Sequence, residues 1–300
     1  LLTGSSLPNR APLQSPPEAA PPRNASDFDR RTVTLATVNV NGLRAATRNG
    51  MAPWVYRCEP DIVTLQEVRA PDALVPGLVA EVFGDGWQVV HAEAGAKGRA
   101  GVAVVTHLPI ERVDAGDDEP CFAGTGRWIE ADVRLSDDEV LTVVSAYAHT
   151  GDADVPERMA EKLAWFDAAT VRLEALRAEG RHVVLTGDLN VAHRDSDLKN
   201  WKGNVGCAGC HPDERARFDH WIDTLGWVDV ARTVAGSDAV PFTWWSFRGR
   251  AFDTDAGWRI DYQIATPEFA ARAAEARVDR APSYDERWSD HAPMVATYRL

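Results

Sequence analysis

Apolar runs of five to nine residues, rich in Val, Ile and Thr, recur from Thr32 to the end of the chain. They are TVTLATVNV (32–40), IVTLQ (62–66), GVAVVTH (101–107), VLTVVSAYA (140–148), HVVLTGD (182–188), RIDYQIAT (259–266) and MVATYR (294–299). Short length, β-branching and near-continuous apolar character are the pattern of buried strands. Helical patterns lie between some of them. Over 156–179, Met159, Leu163, Phe166, Leu173 and Leu176 share one helical face, with Pro156 suited to the first turn and Gly180 to the stop. A second helix is expected over about 213–225, opened by Asp213 and Glu214 near the positive end of its dipole. Strands and helices that mix without strict alternation predict an α/β fold, a sandwich of two packed β-sheets with helices outside.

Residues 1–31 differ from the rest. Pro8, Pro12, Pro16, Pro17, Pro21 and Pro22 sit there among Ser, Ala and Asn without apolar periodicity. Such a segment is expected to be disordered, which leaves 32–300 as one domain. No basic region followed by an apolar stretch opens the chain, so no signal peptide is expected. No run approaches the roughly 18 apolar residues of a membrane span. Cys58, Cys121, Cys207 and Cys210 are too few for a disulfide scaffold of this size, and a reduced, intracellular compartment fits them. The formal charge of −13 argues against a general nucleic-acid binder, and the N-terminal segment does not cause it. Any DNA-binding surface has to be a local basic patch. Eleven Trp supply rings for the core or for stacking on bases.

Chemistry-bearing residues gather where the apolar runs end. Asn39 and Asn41 close the first run, and Glu67 follows the second. Asp188 and Asn190 follow the run at 182–187. Asp261 lies within an apolar strand, and Asp290 and His291 precede the last run. Singly, these read as solvated strand ends, turn residues or a satisfied core histidine. Together they are complementary. Carboxylates hold a hard divalent cation, an Asp activates water, and a His neutralises a phosphoryl oxygen. Phosphodiester hydrolysis needs that combination.

The segments NVNGLRA (39–45), LQEVR (65–69), GDLNVAHRDSDLKN (187–200), WRIDY (258–262) and SDHAP (289–293) resemble, in the same order, the exonuclease III family of abasic-site endonucleases. The resemblance covers about 32–300. It implies a four-layered, DNase I-like α/β sandwich: two packed mixed sheets flanked by helices. The same Glu, Asp-x-Asn and Asp-His also occur in phosphatases and phosphodiesterases of this fold that act on lipid or small-molecule phosphates, which is the alternative reading. The stretches 188–204 and 242–262 are similar to the abasic endonuclease branch. Because the acids and the His are all present, a catalytically dead DNA-binding protein is disfavoured.

The resemblance also implies roles. Glu67 is the principal metal ligand, with Asp290 and Asn41 nearby, directly or through water. The metal is Mg2+, with Mn2+ as a substitute. Asp188 is the general base, and Asn190 orients the water or a phosphate oxygen. His291 donates to a non-bridging oxygen, and Asp261 accepts its other ring N–H. Asn39 and Tyr147 contact the phosphate, and proton transfer by Tyr147 stays open. Trp244, Trp258 and Ile260 line a pocket for the flipped-out abasic sugar. Arg44, Arg69, Lys97, Arg99, Lys199, Lys202, Arg248 and Arg250 are candidate DNA contacts, Arg248 and Arg250 the foremost. The implied substrate is double-stranded DNA with abasic sites or blocked 3′ ends. A monomer is expected, since DNA would supply the binding surface and no coiled-coil pattern appears, and a cytoplasmic place at the bacterial nucleoid is expected from the function and the Ala-, Arg- and Asp-rich composition.

Two departures stand out. The family's Tyr-x-Pro-Asn becomes Tyr147-Ala148-His149-Thr150, so Thr150 stands where an Asn usually helps hold the phosphate. A hydroxyl has shorter reach and fewer donors. The second is CAGCH (207–211), a Cys-x-x-Cys-His pattern otherwise known from haem attachment. Inside a matched nuclease segment it is expected to be a loop with two incidental thiols.

Overall fold

In the computed structural model, which describes residues 32–236 and 240–300, all seven β-branched runs form strands. The expectation for residues 1–31 lies outside the described residues. The N-terminal part supplies β1 (Thr32–Asn39), β2 (Ile62–Gln66), β3 (Gln88–Ala92) and β4 (Val102–Thr106). The middle supplies β5 (Ile110–Asp114), β6 (Trp128–Ser136), β7 (Glu139–Tyr147), β8 (His182–Asp188), β9 (Val228–Asp229) and β10 (Asp261–Ala265). The chain closes with β11 (Ala273–Val278) and β12 (Met294–Arg299). Two six-stranded mixed sheets result, ordered β11-β12-β1-β2-β4-β3 and β5-β6-β7-β8-β10-β9.

The sheets pack face to face through Leu35, Ile62, Val104, Ile129, Val143, Val184 and their neighbours. Helices α1 (Leu43–Arg48), α2 (Met51–Cys58) and α3 (Val75–Phe83) cover the outer face of the first sheet. Helices α4 (Pro156–Ala178) and α5 (Pro212–Asp219) cover the outer face of the second. This is the expected four-layered α/β sandwich. Pro156 opens α4 and the positive-φ Gly180 ends it, while α5 runs on into a π-helical turn over His220–Thr224. No helix among the described residues is long and apolar enough to cross a membrane.

Two local differences have physical causes. The expected strand at 259–266 begins only at Asp261, because Arg259 and Ile260 bond elsewhere. The buried Arg259 guanidinium grips Asp197 (2.8 Å) and Asp229 (2.7 Å), and Ile260 donates its N–H to Thr243 Oγ1. On α4, Leu163 of the apolar face is only half-buried, while Lys162 is fully enclosed.

Sheet pairing decides where the chemistry goes. β1 and β2 are parallel, with Asn39 opposite Gln66, and β7 and β8 are parallel, with Tyr147 opposite Asp188. β10 runs antiparallel to β8 and starts where β8 ends, so Asp261 lies opposite Asp188. At this end the intersheet contact turns polar: Gln66 donates to Ser145 Oγ at 3.1 Å and Thr64 meets Thr186 at 2.7 Å. Gly187 permits the approach of β8 to β7, since a Cβ there would lie 1.9 Å from the Ala146 carbonyl oxygen.

Candidate active site

Like charges directly opposite on paired strands repel. Asp188 and Asp261 are such a pair, both buried, and His291 stands between them. Its Nδ1 lies 2.9 Å from Asp261 Oδ2 and its Nε2 lies 3.7 Å from Asp188 Oδ2. Asp188 also accepts from Asn39 Nδ2 (2.9 Å) and from the Asn190 backbone N–H (3.0 Å). Burial by itself would push the His291 pKa down, but the two carboxylates outweigh it and hold the imidazole well above its usual range. Burial, with Asp261 and Glu67 nearby, lifts the Asp188 carboxyl above the usual range against the opposing pull of His291 and Asn39. The imidazole is the better home for the proton, which leaves Asp188 as the carboxylate.

A second, more open cluster adjoins the first. Glu67 Oε1 accepts from Asn39 Nδ2 (2.9 Å) and from the Tyr147 hydroxyl (2.8 Å), and Arg69 reaches Oε2. Asn39 thereby bridges Glu67 to Asp188. Asn41 Nδ2 donates to Asp290 Oδ1 (3.0 Å), and Trp244 Nε1 donates to Asp290 Oδ2 (3.1 Å). Asn41, Glu67, Arg69 and Asn190 all have left-handed backbone, with φ of 47°, 51°, 51° and 51°. Residues other than Gly adopt this at a cost on the order of 1–3 kcal/mol each and persist in it only where their surroundings enforce it. Burial first, then Glu67 and Asp188, push the Tyr147 pKa up, so it remains a phenol that donates.

Asp188, Asp261 and His291 bring ligand atoms within 4.8 Å of one another. A protonated imidazole offers no lone pair, so this group is a poor metal seat. Glu67, Asp290 and Asn41 present an oxygen-only donor set, which suits a hard divalent cation. The guanidinium already resting on Glu67 shows that positive charge is accommodated there.

Both clusters open into a cavity of about 290 Å³. Its other wall is Trp244, Trp258, Ile260, Ala208 and Gly209. Trp244 and Trp258 exchange backbone hydrogen bonds of 2.9 Å, and Trp244 bridges on its other side to His291. Gly209 closes the wall with φ +83°, and a Cβ there would press to 3.1 Å on the Trp258 ring.

Of the residues singled out from sequence, Asn41, Glu67, Tyr147, Thr150, Asp188, Asn190, Trp244, Trp258, Ile260, Asp290 and His291 line this cavity. Asn39 and Asp261 are buried just behind it. Arg44 and Arg248 are exposed and do not line it. Arg69 does, along with the loop read as two incidental thiols. Cys207 is exposed, and burial raises the pKa of Cys210 to about 11. The centre of that motif is a pocket wall, which the Cys spacing concealed.

The sequence model of the Endonuclease/Exonuclease/phosphatase family matches residues 36–291, which places the sandwich and its cavity in that class of enzymes. An exodeoxyribonuclease of Bacillus subtilis (strain 168) is 31% identical over 261 residues, covering 87% of this chain and 97% of that one. The chain belongs to the exonuclease III family of DNA-repair nucleases. Solved structures agree. An AP endonuclease from Archaeoglobus fulgidus gives a TM-score of 0.77 at 28% identity, covering 89% of this chain and 100% of its own. A 3′–5′ exonuclease from Neisseria meningitidis gives 0.77 at 30% identity with the same coverage of both.

Proposed function

We propose that this nuclease hydrolyses the phosphodiester on the 5′ side of abasic sites in double-stranded DNA, and acts on 3′ ends as an exonuclease and 3′-phosphodiesterase. The reading is carried by one cavity with two unlike walls, hydrolytic on the side of Asp188, His291 and Glu67 and apolar on the side of Trp244, Trp258 and Ile260. A small apolar recess beside the reacting groups suits a sugar that has lost its base and disfavours an intact nucleotide. Full-length similarity to nucleases favours DNA over lipid or small-molecule phosphates.

Asp188 takes a proton from the attacking water as that oxygen bonds to phosphorus. The bond from phosphorus to the 3′ oxygen breaks and that oxygen takes a proton from solvent water, leaving a 3′-hydroxyl and a 5′-deoxyribose phosphate. Protonated His291 donates to a non-bridging oxygen, and Asp261 keeps the ring charged and oriented. Asn190 and Thr150 border the phosphate, and Tyr147 orients Glu67. Glu67, Asp290 and Asn41 would hold Mg2+ or Mn2+, directly or through water. The bound ion supplies positive charge to the phosphoryl oxygens. DNA reaches the cavity over the exposed Arg69, Arg44, Lys199 and Arg248, whose phosphate contacts position the duplex without reading its sequence. The protein acts as a monomer, since the duplex itself completes the site.

A duplex oligonucleotide with one abasic analogue tests this, incubated with Mg2+ or with EDTA. Metal-dependent incision 5′ to the analogue is expected. Well-folded protein that leaves the strand intact while degrading ordinary 3′ ends would refute the abasic assignment.

A further inference from the structure

Lys162 and Glu214 form an ion pair with both side chains fully buried. Neither belongs to the reacting groups, and Lys162 interrupts the apolar face of α4. Every donor and acceptor atom of the pair is used, and three of the residues they hold line the cavity. Lys162 Nζ donates to the backbone carbonyls of Thr150 (3.0 Å) and Asn190 (2.8 Å) and to Glu214 Oε1. Glu214 Oε2 accepts from the backbone N–H groups of Gly209 (2.7 Å) and His211 (3.0 Å). Thr150, Asn190 and Gly209 come from three separate loops, and all three line the cavity. Two charged side chains therefore tie three loops to one point behind the pocket.

We propose that Lys162 and Glu214 are positioning residues that set the width of the sugar pocket and so its discrimination between a base-less sugar and an intact nucleotide. The proposal rests on the abasic-site reading for its substrate and on geometry alone for the clamp. Burial works against the Lys162 charge and Glu214 opposes that effect, so the pair holds only as a pair. Gly209 transmits the constraint. Its N–H is held by Glu214, its carbonyl accepts from Ala192 N–H at 2.8 Å, and its Cα side faces the Trp258 ring. If the loop at 207–211 loosens, the Trp258 wall loses its backing and the recess widens.

Removing one partner leaves a buried charge unpaired and can unfold the protein. The informative variant is therefore the double replacement Lys162→Met with Glu214→Leu, which removes both charges together. Two measurements are made on it. Hydrogen exchange should show lost protection at Gly209 and His211 while β7 and β8 stay protected. The ratio of cleavage rates at an abasic analogue and at an ordinary 3′-terminal nucleotide should fall about tenfold, the scale of one lost pocket contact. A merely structural pair would lower both rates in step and leave the ratio unchanged, which would overturn the proposal. Unchanged exchange at Gly209 and His211 would overturn it equally. Should the unaltered protein not cut at the abasic analogue, the substrate reading fails, and the exchange measurement alone decides whether the clamp exists.

Discussion

Two carboxylate groups share one cavity and are built in opposite ways. Asp188, Asp261 and His291 have side chains only 2%, 0% and 5% exposed, and ladder register sets them opposite one another. Glu67 is 12% exposed, and it and Asn41 are carried on left-handed turns just beyond the strands. In the first group the partners are internal, so burial forces the question of where one proton resides. In the second, the oxygens face the cavity and are steadied by Asn39 from behind and by Tyr147, Asn41 and Trp244 within its lining. A closed cluster suits proton transfer, and an open one suits a hydrated cation. Asn39 touches both and keeps them in register.

The largest effect should come from Asp188→Asn, which keeps the shape and removes the proposed base. A fall in kcat of about 10²–10⁴ is expected, with no recovery at high metal concentration. Calorimetric Mn2+ binding should persist, because the open cluster is untouched. Lost Mn2+ binding would mean that the two groups are not separable. His291→Gln comes next, with a loss on the order of 10²–10³ for a donor to the developing negative charge. The pH profile sharpens the point. As the proposed base, Asp188 acts deprotonated and its pKa is raised, so activity should fall on acidification at a pH above the ordinary carboxylate range. As the proposed donor, His291 acts protonated and its pKa is also raised, so the alkaline fall should come well above the ordinary imidazole range. In His291→Gln the alkaline fall should vanish, and its persistence would assign that limb to another group.

How much of this was legible in the chain follows the same division. Asp188, Glu67, Asp261 and His291 could be read because polar groups at the ends of apolar runs are out of place in a core. The two-sheet sandwich could be read from β-branching. β6 was missed because Glu130, Asp132 and Arg134 interrupt its apolar pattern. Glu130 and Asp132 are nevertheless buried, paired with Arg172 and Arg181 at 2.6 Å. Lys162 escaped for the same reason, since no periodicity shows that a charge inside an apolar face has a partner 52 residues away. Gly209 was hidden because the Cys-x-x-Cys spacing around it marks the segment only as a loop with two incidental thiols. Ion pairs across large sequence separations are tertiary facts, and single-strand or single-helix patterns carry no trace of them.

The smallest expected effect tests how the open group is steadied. Trp244 contributes a ring to the apolar wall and an indole N–H to Asp290 Oδ2, so it belongs to both sides of the cavity. Trp244→Phe keeps a ring and removes only the hydrogen bond. Groups that orient a metal-binding carboxylate typically matter by about 10–100-fold in metal affinity. Because Asn41 still holds Oδ1 of the same carboxylate, the lower end of that range is expected here. The metal concentration for half-maximal activity should therefore rise about tenfold, while kcat at saturating metal stays close to that of the unaltered protein. If kcat falls and the metal requirement does not move, Asp290 is not part of the cation seat. The ring of Trp244 would then matter through the shape of the sugar recess, and the separation between the closed and open groups would have to be redrawn around Glu67 alone.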